Sequence, residues 1–288
     1  MQDSTLLIMR IPITDVLLGD VFATGSSTEI VRGTFCNQAV AIKRLTKTRR
    51  RDLKQIAALA QEARCAAQLM HERVVSFIGV AWSAPSDLCV VSELMEGGSV
   101  LELLQQYRSD GCSQGFSPAK LKIALHVAHA LTYLHSLDPI VLHRDIRSKN
   151  VLLTAQGEAK LTGFGLVRQV EDDAVGMLTA GVGSALWAAP EVLRGEQYDE
   201  KADVYSFGVL LSELDTNELP FSQETRTAGV TMVCRLVAEG SLSVRFSRAL
   251  NDPELKALGC ACVSQNASER PTATAVLYRI HLALSRVS

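Results

Sequence analysis

The sequence predicts a two-lobed α+β fold, on three observations. Roughly the first eighty residues read as short strands interrupted by one helix, the remainder reads mostly as helices, and the two regimes do not alternate as βαβ units would. The glycine pair Gly97-Gly98 lies at their junction, residues 93–98. A length of 288 residues suffices for one large domain or two modest lobes, and 47% hydrophobic with 21% charged side chains sets aside disorder and fibrous repeats.

Residues 1–14 form an extension before the first strand. Their Leu6-Leu7-Ile8-Met9 quartet is apolar, but it lacks a basic leader, is too short for a secretory core and has no small-residue cleavage site after it. Val16-Leu17-Leu18, Glu29-Ile30-Val31 and Ala39-Val40-Ala41-Ile42 are strand candidates, punctuated by Gly19, Gly25 and Gly33. Residues 51–70 then carry Ile56, Leu59, Ala60, Ala63, Ala67 and Met70 at helical spacing, one buried face of a helix that begins in the basic stretch 47–51. After the apolar strand Leu88-Cys89-Val90-Val91, the pattern Ser99-x-x-Glu102 supplies a capping box for a short helix. Ser117-Pro118 starts a longer one, serine as cap and proline at the first helical position, with Leu121, Leu125, Ala128 and Leu131 as its apolar stripe. Val151-Leu152-Leu153 is strand-like, and two further helices are expected over residues 202–214 and 272–284.

The 29 basic and 31 acidic side chains leave a formal charge of -2, so no global field draws the chain to nucleic acid or an anionic membrane. No apolar run approaches the ~18 residues of a membrane span. Seven cysteines, an odd number without Cys-x-x-Cys pairing, read as reduced thiols, which places the chain in the cytoplasm or nucleus. His126, His129 and His135 share a predicted helix, but no neighbouring thiol or carboxylate completes a zinc set, and packing or surface histidines are the expectation.

The sharpest feature is His143-Arg144-Asp145-Ile146-Arg147-Ser148-Lys149-Asn150, followed by Val151-Leu152-Leu153 and then Gly163-Phe164-Gly165. Here the chain resembles the protein kinases, whose catalytic loop is H-R-D-L-x-x-x-N and whose metal loop is D-F-G. Other landmarks fall in family order: Ala41-Ile42-Lys43, Glu62 on the following helix, Ala189-Pro190-Glu191, the string from Asp203 to Gly208, and Arg270. The resemblance implies a kinase domain over residues 15–284. It would comprise a small antiparallel β-sheet N-lobe with one key helix (15–92), a hinge (93–98) and a larger, mainly helical C-lobe (99–284). It further implies that Asp145 is the catalytic base, that Lys43 binds the α- and β-phosphates of ATP and is fixed by Glu62, and that Asn150 is a ligand of the second Mg2+. Arg147 stands where Ser/Thr kinases usually have lysine, Asp203 would support the catalytic loop, and Arg270 would pair with Glu191. Ile30, Ala41, Ser92, Glu93, Met95 and Leu152 would form the adenine slot, and Ala23, Gly25, Ser26 and Ser27 the phosphate loop. Trp187, the Asp203 string and Arg270-Pro271-Thr272 resemble the tyrosine-kinase-like group, whose members mostly phosphorylate serine and threonine of protein substrates. Thr179 is the candidate phosphosite of the activation segment.

Two departures stand out. The family's phosphate loop, G-x-G-x-x-G-x-V, aligns with residues 23–30, which keep only Gly25 of its three glycines. The metal-loop aspartate is Gly163, which removes the carboxylate that holds the principal Mg2+. At an effective dielectric of about 20 such a loss forfeits on the order of several kcal/mol, a rate deficit of roughly a thousandfold or more. Mg2+ use is therefore expected to be weakened or absent. Two readings stay open: a kinase with impaired metal binding, and a pseudokinase that acts as a nucleotide-binding or scaffolding module toward a partner protein.

Overall fold

The computed structural model describes residues 4–169, 184–247 and 252–287. Thr179 lies outside them. The chain divides into two compact units, one running to Glu96 and taking in Gly163–Gly165, the other holding Gly97–Thr162 and the chain from Leu166 onward.

The first unit is built on a five-stranded antiparallel sheet, β1 (Val16–Thr24), β2 (Thr28–Phe35), β3 (Gln38–Leu45), β4 (Phe77–Ala81) and β5 (Cys89–Glu93), in the order β1-β2-β3-β5-β4. Its helix α2 (Leu53–Ala67) is capped by Asp52, whose carboxylate accepts the Lys54 and Gln55 N–H groups. Ile56, Leu59, Ala60 and Ala63 are its buried face, packed with Leu45, Val80 and Val90 of the sheet and with Trp82 and Leu88 of the β4–β5 connection. The expected helix over 51–70 is thus shorter at both ends. Gln68 closes it, so Met70 falls beyond the last turn and is 90% exposed instead of joining the core. Val31, Val40, Ile42 and Val91 alternate with those residues and form a second core on the opposite sheet face. A short helix, α1 (Ser4–Ile8), inserts Leu6 among the α2 residues, and the segment after it bonds to β4 through Val80 N–H to Met9 O (3.0 Å) and Ile11 N–H to Val80 O (2.9 Å). Arg10 lies over the Trp82 ring and donates to the Trp82 carbonyl at 2.8 Å.

The second unit is mainly helical: α3 (Val100–Ser109), α4 (Pro118–His135), α5 (Pro190–Leu193), α6 (Lys201–Thr216), α7 (Ser222–Ala238), α8 (Pro253–Cys262) and α9 (Ala273–Ser285). Between them run the small pairs β6 (Val141–Leu142) with β9 (Arg168–Gln169), and β7 (Val151–Leu153) with β8 (Ala159–Leu161). The Ser99 capping box forms as its spacing predicts, with Ser99 N–H donating to Glu102 at 2.7 Å and Ser99 Oγ accepting the Glu102 N–H at 3.3 Å. Ser117 caps α4 through the Lys120 N–H. The stripe expected on α4 understates its burial: α9 lies along it, Ile123, Ala124, Val127 and Ala130 are also buried, and Leu125 is only half so. Every residue of α6 from Ala202 to Asp215 is buried, which makes this helix the axis of the unit.

Gly97 begins the second unit for a steric reason. A Cβ there would lie 2.4 Å from the Thr154 carbonyl oxygen and 2.8 Å from Leu153 Cβ, and its N–H donates to the Leu153 carbonyl at 2.8 Å.

Candidate functional site

In the first unit, β3 register decides what shares a face. Ile30 is opposite Lys43, and Ala41 is opposite both Arg32 and Ser92, so Ile30, Ala41, Lys43 and Ser92 line one side of the sheet. This is also the side on which α2 packs, and Lys43 Nζ reaches Glu62 on that helix at 2.5 and 2.7 Å. At 30% and 17% side-chain exposure the pair is only partly solvated, which strengthens it over a free surface pair. Ala23 is the next-to-last residue of β1, exposed, while Gly25, Ser26 and Ser27 make the turn to β2; Gly25 N–H donates to Thr28 O (2.7 Å) and Ser27 O accepts the Thr46 N–H (3.0 Å). Glu93 turns its carboxylate to the Ser76 N–H at 2.6 Å, and Met95 is buried. Gly163-Phe164-Gly165 belongs to this unit as well. Gly163 has φ +92°, Phe164 is buried, and Gly165 lies against Glu62, whose Oε2 would be 3.2 Å from a Cβ placed there.

In the second unit the loop 143–150 is held from below by α6. Asp203 accepts the backbone N–H groups of His143 and Arg144, each at 2.8 Å, and also faces His135 Nε2 at 3.2 Å. Burial by itself would raise the Asp203 carboxyl, but His135, His143 and the Arg144 N–H outweigh it and hold the group below its usual range. His143 is fully buried. Its Nδ1 accepts the Asp145 N–H (3.2 Å), which leaves the ring proton on Nε2 to meet the Thr162 carbonyl (2.9 Å), and burial pushes its proton affinity down. Arg144 adopts φ +66°, donates to the Leu166 carbonyl and stacks over Tyr198.

Asp145, Arg147 and Asn150 converge in this loop. The Asn150 amide donates to the Asp145 backbone oxygen (2.8 Å) and to Asp145 Oδ2 (2.7 Å). Arg147 Nε sits 3.1 Å from Asp145 Oδ1, an ion pair whose N–H is not aligned for a hydrogen bond, and the guanidinium lies over the Trp187 ring. Leu152 is on β7, bridged to Ser99. Arg270 meets Glu191 with two bonds, at 2.6 and 2.8 Å.

Two contributors were not visible in the motifs. His135, at the end of α4, completes the Asp203 cluster; His126, by contrast, accepts the Ala159 N–H through Nδ1. Glu213 of α6 accepts from Ser148 and from the Trp187 indole, and burial drives its carboxyl up to about 7. Glu213 shares α6 with the buried acids Asp203 and Asp215, so no local signal singled it out.

The family model for the protein kinase domain matches residues 21–280. Among curated proteins, the chain is 36% identical over 203 residues to the serine/threonine-protein kinase STY17 of Arabidopsis thaliana, covering 70% of this chain and 34% of that protein. It is 36% identical over 218 residues to STY46 of the same plant (76% and 36%), and 31% identical over 279 residues to the probable serine/threonine-protein kinase drkC of Dictyostelium discoideum (95% and 35%). The chain spans about a third of the length of these relatives. Among the described residues no helix is long and apolar enough to cross a membrane. With the Lys43–Glu62 pair, the Asp203-anchored loop and a family model running over most of its length, the chain belongs to the protein kinase family.

Proposed function

We propose that residues 15–284 form a serine/threonine kinase domain of the tyrosine-kinase-like type, transferring the γ-phosphoryl of ATP to protein hydroxyls in the cytoplasm, with metal use weakened by Gly163. The observation that carries this reading is the closed Lys43–Glu62 pair, because a lysine so held is what the family uses on the α- and β-phosphates. Ile30, Ala41, Ser92, Glu93, Met95 and Leu152 would receive the adenine. In the phosphate loop of Ala23, Gly25, Ser26 and Ser27, the Gly25 N–H is taken by the Thr28 carbonyl, so Ser26 and Ser27 would offer backbone N–H groups to the phosphates, less tightly than a loop with three glycines. Asp145 would accept the proton of the substrate hydroxyl, and Arg147 would place positive charge beside the transferred group.

The metal is the weak point. Mg2+ is held in such sites by one or two carboxylates together with phosphate oxygens. At position 163 this chain offers no side chain, and the Asn150 amide nitrogen is committed to Asp145, leaving a single amide oxygen as ligand. That donor set does not fit a tightly held ion. The same observation favours a second reading, a nucleotide-binding module that signals by docking to a partner protein.

Side-by-side assay of Gly163→Asp and Asp145→Asn on a generic protein substrate separates the two. Under the first reading the wild type transfers phosphate slowly, Gly163→Asp raises the rate by orders of magnitude, and Asp145→Asn abolishes it. Transfer by Gly163→Asp no greater than by Asp145→Asn supports the docking module. Wild-type turnover in the usual kinase range of about 1–100 per second would overturn the metal argument.

A further inference from the structure

Glu213 is a buried acid for which the reading above has no use. Its carboxylate spans two segments far apart in sequence. Oε1 accepts from Ser148 Oγ at 2.5 Å, and Oε2 accepts from the Trp187 indole N–H at 2.7 Å and from the Ser148 backbone N–H at 3.2 Å. Ser148 lies between Asp145 and Asn150, and Trp187 underlies the Arg147 guanidinium that pairs with Asp145. We propose that Glu213 is a positioning residue: one buried carboxylate fastens both the catalytic loop and the turn carrying Trp187 to α6, so that a change at either is felt at the other. The inference concerns the placement of the loop and stands whether or not the chain transfers phosphate.

The arrangement has a built-in proton dependence. When a proton from solvent is taken up on Oε1, the short bond to Ser148 must reverse: the glutamic acid O–H donates, and the serine hydroxyl turns its own hydrogen elsewhere. Trp187 and the Ser148 N–H then face a neutral carbonyl oxygen in place of a carboxylate, and both bonds weaken. Charge near the group is sparse. Arg147 from the catalytic loop favours the ionised form, while burial opposes it and brings the carboxyl to about 7. The other elements packed on α6 place their titratable groups elsewhere along it: Lys120 of α4 beside Asp215, His135 of α4 on Asp203, Cys262 of α8 against Gly208, and Arg270 over Tyr205.

The chain has two tryptophans, so Trp82→Phe leaves the Trp187 indole as the only one. In that background, with 15N-labelled tryptophan, the indole N–H resonance is followed from pH 5 to 9. A single titration centred near 7 is expected. Glu213→Gln should remove the titration, and Ser148→Ala, which takes a donor from the ionised form, should move its midpoint upward. A resonance that titrates identically in Glu213→Gln, or one that stays flat with Glu213 present, overturns the proposal. If Glu213→Gln does not fold, Ser148→Ala decides alone: an unmoved or lowered midpoint means that Ser148 and Trp187 are not joined through this carboxylate.

Discussion

Arg270 is buried, and its guanidinium meets both oxygens of the equally buried Glu191 carboxylate while Nε donates to the Ser264 carbonyl. Removing one partner strands the other charge, so Arg270→Ala should cost about 3–5 kcal/mol in urea denaturation. Arg270→Lys should recover only part, because an ammonium cannot reproduce the two parallel bonds of the fork. Glu213 makes an opposite kind of contribution. Its folded carboxyl sits near 7 against an ordinary 4.5, so the folded chain binds this proton more tightly than the unfolded one. The stabilisation from the neutral form is complete below about pH 4.5 and is lost as pH rises through about 7, roughly 3 kcal/mol at most. Between the two pH values the wild type should lose stability on this account and Glu213→Gln should not, which paired urea titrations at pH 5.5 and 8 would read. Gly163, at φ +92°, carries its own cost when replaced: Gly163→Asp should lower Tm by a few degrees, about 1–2 kcal/mol, even as it supplies the missing carboxylate. The Lys43–Glu62 and Arg270–Glu191 pairs were legible because each partner sits in a short motif or at a fixed family spacing. His135 and Glu213 were not, since the partners that define them, Asp203 and Ser148, lie 68 and 65 residues away.

Among the elements, α2 carries Glu62 on one side and its apolar contacts on the other, so whatever holds those contacts also holds the Lys43 pair. Leu6 of α1 is 1% exposed within that cluster. Leu6→Ala should therefore lower stability by about 2–5 kcal/mol, read by urea denaturation, and, by loosening α2, weaken binding of ATP-site ligands, read by calorimetric titration against the wild type. The apolar quartet around Leu6 was visible in the sequence, but its docking on α2 was not, because a five-residue helix has too few turns for a face to register in its spacing. The strands β1, β2 and β3 announced themselves by short apolar runs punctuated by Gly19, Gly25 and Gly33, and β5 by the apolar run Leu88-Cys89-Val90-Val91. β4, at Phe77–Ala81, was missed because Gly79 interrupts its apolar run, and α7 because Gly229 breaks the helix at φ +77° and most of its residues remain partly solvated. The start of α8 did hold an overlooked signal, Asp252 as cap with Pro253 at the first helical position.

For the molecule as a whole, the decisive property is what ATP does with and without its counter-ion. A ligand stabilises the native state in proportion to its occupancy, so the thermal shift given by ATP should be nearly the same in Mg2+ and in EDTA, whereas Gly163→Asp should make it strongly Mg2+-dependent. A large Mg2+-dependent shift in the wild type would show that another group holds the ion. The two-unit division was legible in the change from strands to helices, and the glycine pair fell beside the boundary because Gly97 must let two backbones approach closely. The return of Gly163–Gly165 to the first unit was not legible, since nothing in three residues of chain tells which body they will join. The segment at Met9 and Ile11 that bonds to Val80 has a colloidal consequence. It occupies the outer rim of the sheet, and a shortened protein starting after it would present β4 with unpaired amide groups, a template on which molecules can stack strand to strand and precipitate.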